Sequence, residues 1–204
     1  MGIYGDRVLP WAIDKMCAGP ENDEYRSAIC AGLSGEGLEI GFGSGLNLPH
    51  YPPEVSVLTA VDPATYGRTL AADRVAATHV EVRYVGLDGA ALPVEDQSVD
   101  FVLSTWTLCT IPEAERALSE VHRVLRDDGV YHYLEHGRAA DAKRRRRQDR
   151  LTPAWKRVAG GCRLNCRIHD MVAAAGFTAD TRTFISKAGE VFGTMYEGRA
   201  RKAS

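Results

Sequence analysis

The chain has 204 residues, of which 45% are hydrophobic and 25% charged, and a formal net charge of −2. This length suits one domain with a substantial core, and the near-neutral balance excludes binding to nucleic acid or an anionic membrane through net charge alone. The sequence shows no apolar run of membrane-spanning length and no signal peptide, and its five cysteines are scattered, so we expect a reducing, cytoplasmic location.

Hydrophobic periodicity predicts helices and strands that alternate along most of the chain. Predicted helices cover residues 8–16, 25–33, 66–78, 113–125, 139–150 and 169–175. Predicted strands cover residues 38–40, 55–61, 80–85, 100–104, 130–134, 178–185 and 190–199. This alternation indicates an α/β, Rossmann-like fold with a mostly parallel, seven-stranded sheet and helices on both faces. We expect an N-terminal helical cap at 1–34 and the main domain at 35–204.

Prolines indicate where one predicted helix begins and where another helix is disfavoured. The helix at 113–125 follows Pro112, a favoured start, and its apolar residues share one face. Pro49, Pro52 and Pro53 limit any helix after the first strand, because proline cannot continue one.

The first predicted strand ends in a glycine-rich turn with Gly41, Gly43 and Gly45. Glycine has no Cβ, so a ligand can approach its backbone closely. The G-x-G-x-G spacing differs from the dinucleotide pattern G-x-G-x-x-G, because Leu46 holds the sixth position, and no Gly-Lys-Ser/Thr of a P-loop follows. The turn indicates either a site for a nucleoside without a pyrophosphate or an ordinary chain reversal.

Asp62 ends the next predicted strand and narrows this choice. A carboxylate there can accept hydrogen bonds from both hydroxyls of a ribose, although Asp before Pro63 is also a common turn. With the glycine turn, Asp62 favours S-adenosylmethionine (SAM), which has a ribose, an adenine and a zwitterionic amino-acid tail.

Other polar residues follow further predicted strand ends, namely Asp88, Ser104 and Thr105, and Glu135 and His136. Ligands of parallel α/β sheets bind outside the carboxyl ends of the strands. We therefore expect one sheet edge to collect these side chains.

Four parts of the sequence resemble the class I SAM-dependent methyltransferases in order and spacing. They are residues 38–45 (LEIGFGSG), 61–63 (VDP), 88–93 (DGAALP) leading to 98–101 (SVDF), and 120–129 (EVHRVLRDDG). The resemblance implies a methyltransferase that uses SAM, releases S-adenosylhomocysteine and acts on a small-molecule acceptor.

The resemblance also implies residue roles. The backbone of the glycine turn would lie along the methionine and ribose of SAM, and Glu39 would hold the methionine ammonium. Asp62 would bind the ribose. Asp88 and the Gly89 backbone would bind the adenine. The resemblance further places Asn47, Ser104 and Thr105 in the cofactor site.

A narrower resemblance joins residues 45–52, 134–136, 153–155 and 161–165 to the thiol S-methyltransferase group and its bacterial relatives. Animal members of that group carry a membrane-anchoring helix, and no such apolar run occurs here, so we expect no membrane attachment. The acceptor stays open among thiols, amines and hydroxyls.

His136 and Glu135 are the candidate catalytic residues. A thiol with a pKa of about 8.5 needs a base, and histidine titrates near about 6.5. Glu135 would orient His136 or act itself; alternatively, the two form only a structural loop pair. Cys162 and Cys166 are spaced like half of a zinc site. No second pair of ligands accompanies them in the sequence, so we expect no metal.

The basic segment 143–150 keeps two alternatives open. It could dock RNA or protein for methylation, or it could be a solvated helix face. We do not expect nucleic acid, because aromatic residues are absent from the run and Ser104-Thr105-Trp106 replaces the motif of nucleic-acid amino methyltransferases. The other alternative is a non-catalytic SAM-binding protein.

Overall fold

A computed structural model describes residues 4–63, 65–86, 88–89 and 91–203, apart from the side chain of Asp6. These described residues form seven strands, namely β1 (Gly35–Ile40), β2 (Val55–Val61), β3 (Glu81–Tyr84), β4 (Val99–Thr105), β5 (Leu125–His136), β6 (Phe177–Ile185) and β7 (Thr194–Lys202). The α-helices are α1 (Leu9–Cys17), α2 (Pro20–Cys30), α3 (Thr65–Ala77), α4 (Ala114–Val124), α5 (Ala142–Val158), α6 (Ile168–Ala174) and α7 (Gly189–Phe192). A π-helical turn at Tyr4–Val8 and a 3-10 turn at Leu48–His50 complete the elements.

The strands form one sheet in the order β3-β2-β1-β4-β5-β7-β6. All pairs from β3 to β5 are parallel, and β7 runs antiparallel to both of its neighbours. The order reverses next to β1, so the gap outside the ends of β1 and β4 is the topological switch point where such sheets bind ligands. The predicted α/β fold with a mostly parallel, seven-stranded sheet is confirmed.

The sheet is buried on both faces, as parallel sheets require. Successive residues of β4 point to opposite sides, so Val102 packs in one apolar cluster and Phe101 and Leu103 in the other. Both clusters extend to the strand ends and give the loops above them a rigid base.

Helix α1 is joined to α3 by an ion pair whose carboxylate is buried. Asp14 of α1 is 5% exposed, and its Oδ1 lies 3.0 Å from Nη1 of Arg74 on α3. The same Nη1 donates a hydrogen bond to the Ser44 carbonyl at 2.9 Å. Helix α1 is therefore tied to the glycine turn, while the domain border at residue 35 stays a prediction.

The predicted strand at 190–199 is wrong in its first part. Residues Gly189–Phe192 form the short helix α7, and β7 begins only at Thr194. Its partner β6 ends at Ile185, which pairs with Thr194, so a longer β7 would have no neighbouring strand on that side.

The predicted helix at 139–150 is also displaced. Asp141 caps the start of α5 by accepting a hydrogen bond from the Arg144 amide at 2.9 Å. The helix continues through Pro153 to Val158, beyond the predicted end at residue 150. Trp155 packs against Phe192 with ring centroids 4.8 Å apart, a tertiary contact that local propensity does not contain.

Candidate functional site

The glycine turn follows β1 in a left-handed backbone conformation that favours glycine. Gly41, Gly43 and Gly45 have φ values of 77°, 54° and 71°. A Cβ on Gly41 would overlap the side chain of Thr107, which follows β4. The turn is therefore pressed against the neighbouring loop, and its backbone is the surface offered at the switch point.

We expect Gly41→Ala to lower the free energy of unfolding by at least about 2 kcal/mol, because it adds left-handed strain of about 1–2 kcal/mol and a steric overlap. Urea denaturation measures this loss. Gly32→Ala is the matched control, since Gly32 has φ 82° but no atom within 4 Å of an added Cβ. Equal losses in both variants would show that Gly41 is not packed as described.

Asp62 follows β2 and lies beside the glycine turn. Its Oδ2 accepts a hydrogen bond from the Gly43 amide at 2.9 Å. On the other side, a Cβ on Gly67 of α3 would meet the Gly43 carbonyl, so α3 begins directly against the turn. The structure thus brings together the carboxylate and the glycines that the sequence singled out.

Asp88 and Gly89 lie in the loop after β3, between two residues outside the described part of the chain. Gly89 is buried, and a Cβ there would overlap Ile40 at the end of β1. Asp88 is exposed. The loop is therefore held at the same sheet edge as the glycine turn.

Glu39 is a buried carboxyl inside β1, only 1% exposed. Its Oε1 accepts a hydrogen bond from Asn47 Nδ2 at 2.8 Å, and its Oε2 accepts one from the Tyr51 hydroxyl at 2.7 Å. Burial raises the pKa of Glu39 to about 7 in spite of these bonds. Because this pKa is close to physiological pH, a charged group beside the Glu39 carboxyl can decide whether it is neutral or ionised.

We expect this raised pKa to make the unliganded protein less stable as pH rises from about 4.3, the value in an unfolded chain, to about 7. The unfolded state loses its proton first in this window, so the free energy of unfolding falls, by on the order of 3 kcal/mol for one such group. Chemical denaturation at pH 5 and pH 8 measures the difference.

Glu39→Gln should reduce this pH dependence. Part of it should persist, because burial also raises the pKa of Glu135 to about 7. An unchanged slope in the Glu39 variant would contradict the assignment.

Arg26 of α2 is a site residue that the sequence did not reveal. It is 3% exposed, and its Nη1 donates to Asn47 Oδ1 at 2.6 Å. Asn47 therefore bridges Arg26 and Glu39, which carry opposite charges when Glu39 is ionised. The Arg26 Nε–H is buried and finds no hydrogen-bond acceptor within the described residues.

The Arg26 guanidinium also stacks on the ring of Trp106, 4.7 Å from its centroid. Trp106 follows β4 with φ 51°, a conformation that costs a non-glycine residue strain energy and that clusters at functional sites. The sequence gives no signal for the role of Arg26, and only its tertiary contacts identify it as a site residue.

Thr105 and Ser104 lie on opposite faces of β4. Thr105 accepts hydrogen bonds through Oγ1 from Asn47 at 3.0 Å and Arg26 at 3.4 Å, so it joins this network. The Ser104 hydroxyl instead donates to Glu135 Oε1 at 2.9 Å inside the fold. The predicted place of Ser104 in the cofactor site stays a prediction.

His136 ends β5 beside Cys109 and Cys162, which lie far apart in the sequence. Its Nδ1 lies 3.8 Å from Cys162 Sγ, which lies 3.6 Å from Cys109 Sγ. The hydrogen bond with Cys109 and the nearby His136 lower the pKa of the Cys162 thiol. The structure therefore pairs Cys162 with Cys109 rather than with Cys166, its neighbour in sequence.

The basic segment lies on α5. Arg144 Nη2 bonds Glu190 at 2.8 Å and is half-buried, whereas Lys143, Arg146 and Arg147 are exposed. Arg145 is also half-buried and donates to the Ala140 carbonyl at 2.5 Å. The segment is therefore a largely exposed helix face with two of its arginines engaged within the fold.

Comparison with known proteins identifies the family. Residues 38–133, which hold the glycine turn, Asp62 and most of β5, match a family profile described as a methyltransferase domain. This part of the chain is therefore a class I SAM-dependent methyltransferase domain. The methyl donor of this family is SAM, so the resemblance stated from the sequence is confirmed.

The chain is 35% identical to human thiol S-methyltransferase TMT1A over 69% of its own length and 59% of the relative. It is 30% identical to phosphatidylethanolamine N-methyltransferase of Cereibacter sphaeroides over 62% of this chain and 64% of that protein. The matched region thus spans about three fifths of the length of these relatives.

Solved structures share the fold of the chain. A possible histamine N-methyltransferase of Thermotoga maritima superposes with a TM-score of 0.69 at 21% identity, covering 98% of each chain. A Haemonchus contortus N-methyltransferase in complex with S-adenosylhomocysteine gives a TM-score of 0.73 at 15% identity, covering 98% of this chain and 60% of the other. None of the helices in the described residues is long and apolar enough to cross a bilayer.

Proposed function

We propose that this chain transfers the methyl group of SAM to a small-molecule acceptor. The observation that carries the proposal is the network of Glu39, Asn47, Arg26 and Thr105 beside the glycine turn. It places a buried cation and a buried carboxyl together at the switch point, where the zwitterionic tail of an amino acid needs one of each.

The residues present fit the adenosyl part of SAM. Asp62 would accept from the ribose hydroxyls, in keeping with its position against the Gly43 amide. Asp88 and the Gly89 backbone would bind the adenine, because their loop lies against the end of β1. Gly41, where a side chain has no room, leaves its backbone free to approach the ligand closely.

The methionine part would be held by opposite charges. Arg26 would bind the carboxylate, and this supplies an acceptor for its buried Nε–H. Glu39 would face the ammonium, directly or through Asn47, and the positive charge would stabilise its ionised form. Both groups are already fixed by hydrogen bonds, so little conformational freedom is lost on binding.

SAM supplies a methyl group that its sulfonium has already activated. The protein therefore has to align the acceptor and exclude water, and alignment contributes about 7–11 kcal/mol in favourable cases. Trp106, fixed under the Arg26 guanidinium, provides an apolar wall at the end of β4.

The acceptor is proposed to be a thiol, an amine or a hydroxyl. Relatives named as thiol S-methyltransferases and a phosphatidylethanolamine N-methyltransferase support small acceptors with a nucleophilic sulfur or nitrogen.

We also propose a reducing, cytoplasmic location for the chain. Its cysteines are free thiols, which supports this location.

The test is a methyl-transfer assay with radiolabelled SAM over a panel of thiols, amines and phenols. We expect S-adenosylhomocysteine to form with at least one of them. If SAM binds and no acceptor yields product, the chain is a non-catalytic SAM-binding protein. If the label enters RNA and binding weakens steeply with salt, the acceptor class proposed here is wrong.

A catalytic role of His136 predicts that His136→Ala reduces kcat/KM by about 100-fold, the range of general base catalysis, and changes the Kd for SAM by less than about threefold. Calorimetry and turnover measure the two quantities on the same preparation. His169→Ala is the control, because His169 is exposed on α6. Equal losses of turnover and SAM affinity would contradict the role.

A further inference from the structure

A thiol-rich cluster lies at the same sheet edge as the proposed SAM site. Cys109 follows β4, His136 ends β5, and Cys162 follows α5. One ligand atom from each of these three residues lies within 4.8 Å of the others. Cys109 is fully buried and Cys162 is 6% exposed, so the fold itself, and not a chance surface arrangement, places the three together.

The spacing of these atoms is that of metal ligands. Zinc binds sulfur at about 2.3 Å and imidazole nitrogen at about 2.0–2.1 Å, so tetrahedral geometry puts two sulfurs about 3.8 Å apart and sulfur about 3.5 Å from nitrogen. The observed distances are 3.6 Å between the two Sγ atoms and 3.8 Å from Cys162 Sγ to His136 Nδ1. Both distances lie within about 0.3 Å of these values, and the third pair, Cys109 Sγ and the His136 ring, lies within 4.8 Å.

We propose that Cys109, His136 and Cys162 form a three-ligand site for a soft divalent cation such as Zn²⁺. Two sulfurs and one nitrogen are the donors that this ion prefers, and three protein ligands leave the fourth tetrahedral position open. Cys166 is outside the cluster, so the site is not the one that the Cys162–Cys166 spacing suggested.

The open position defines the acceptor class, an extension that rests on the proposed function. A sulfonium donor is already activated, so a cation here would serve the acceptor. An acceptor thiol would bind it as a thiolate and release its proton to solvent. That sulfur then forms the new S–C bond, while the sulfonium C–S bond breaks and its electron pair stays on the donor sulfur. In this extension His136 would hold the cation, so a loss of turnover in His136→Ala would come from the lost ligand rather than from a lost base.

The test uses the full chain, reduced with a phosphine and freed of metal, and titrated with Co²⁺ as a spectroscopic substitute for Zn²⁺. We expect one Co²⁺ per chain with a sulfur-to-cobalt charge-transfer band. Cys109→Ser and Cys162→Ser should each weaken Co²⁺ binding by more than about tenfold, and Cys166→Ser should retain it. Absence of the band in the wild type, or an equal band in all three variants, would overturn the proposal.

Two further measurements separate this proposal from the proposed function. SAM binding by calorimetry shows whether each variant is folded, and we expect it to be retained in all of them. Adding a small thiol should shift the cobalt band; an unshifted band would overturn the acceptor assignment. SAM binding without any bound metal refutes the cation site alone, whereas bound metal without SAM binding refutes the proposed function alone.

Discussion

Replacing Arg26 by Lys is expected to raise the Kd for SAM by about 10- to 100-fold, because a lysine cannot reproduce the guanidinium hydrogen bonds to a carboxylate, worth about 1.5–3 kcal/mol. The affinity for 5′-methylthioadenosine, which lacks the amino-acid tail, should change little. Calorimetry with the two ligands measures both effects on one preparation.

The paired ligands also serve as the control for Arg26. Arg26 holds Asn47 and stacks on Trp106, so the substitution also perturbs the fold locally. A purely structural role would weaken both ligands alike, and that result would contradict the assignment of Arg26 to the methionine carboxylate.

Asp62→Asn is expected to weaken both SAM and 5′-methylthioadenosine by about tenfold or more, because both carry the ribose whose hydroxyls Asp62 would bind. The amide keeps the size of the carboxylate and one acceptor oxygen, so the hydrogen bond from the Gly43 amide can persist. The same calorimetric titrations distinguish this pattern from that of Arg26→Lys.

Asp96→Asn is the matched control, since Asp96 is an exposed carboxylate paired with Arg123. It should leave both affinities unchanged. An Asp62 variant that binds SAM as tightly as the wild type would contradict the proposed hydrogen bonds between Asp62 and the ribose.

The parts of the site that the sequence predicted are local. The glycine turn, Asp62 and the Asp88–Gly89 loop each follow a strand, and parallel strands bring their carboxyl ends to one edge whatever the remaining packing is. A pattern of strand ends is therefore enough to place these residues together.

The parts that the sequence did not predict depend on tertiary contacts. Arg26 precedes β1 by a full helix turn and loop, and only the packing of α2 brings it to Asn47. Cys109 and Cys162 meet because the segment after α5 returns to the loop after β4, where the Arg163 amide donates to the Cys109 carbonyl at 2.9 Å. Spacing along the chain pointed instead to Cys166.

Two element boundaries failed for a similar reason. The helix predicted to end at residue 150 continues through Pro153 to Val158, because Trp155 packs on Phe192. The start of β7 was set by the end of its partner β6 at Ile185, which hydrophobic periodicity at 190–199 does not reveal.

Calorimetric titration of the wild-type chain with SAM, NAD and ATP at equal concentrations tests the central claim most directly. The structure predicts one SAM per chain, with a Kd in the range of about 1 μM to 1 mM that is usual for enzyme substrates, and no detectable heat from NAD or ATP. Binding of NAD or ATP in the absence of SAM binding would contradict the site described at the ends of β1 and β4.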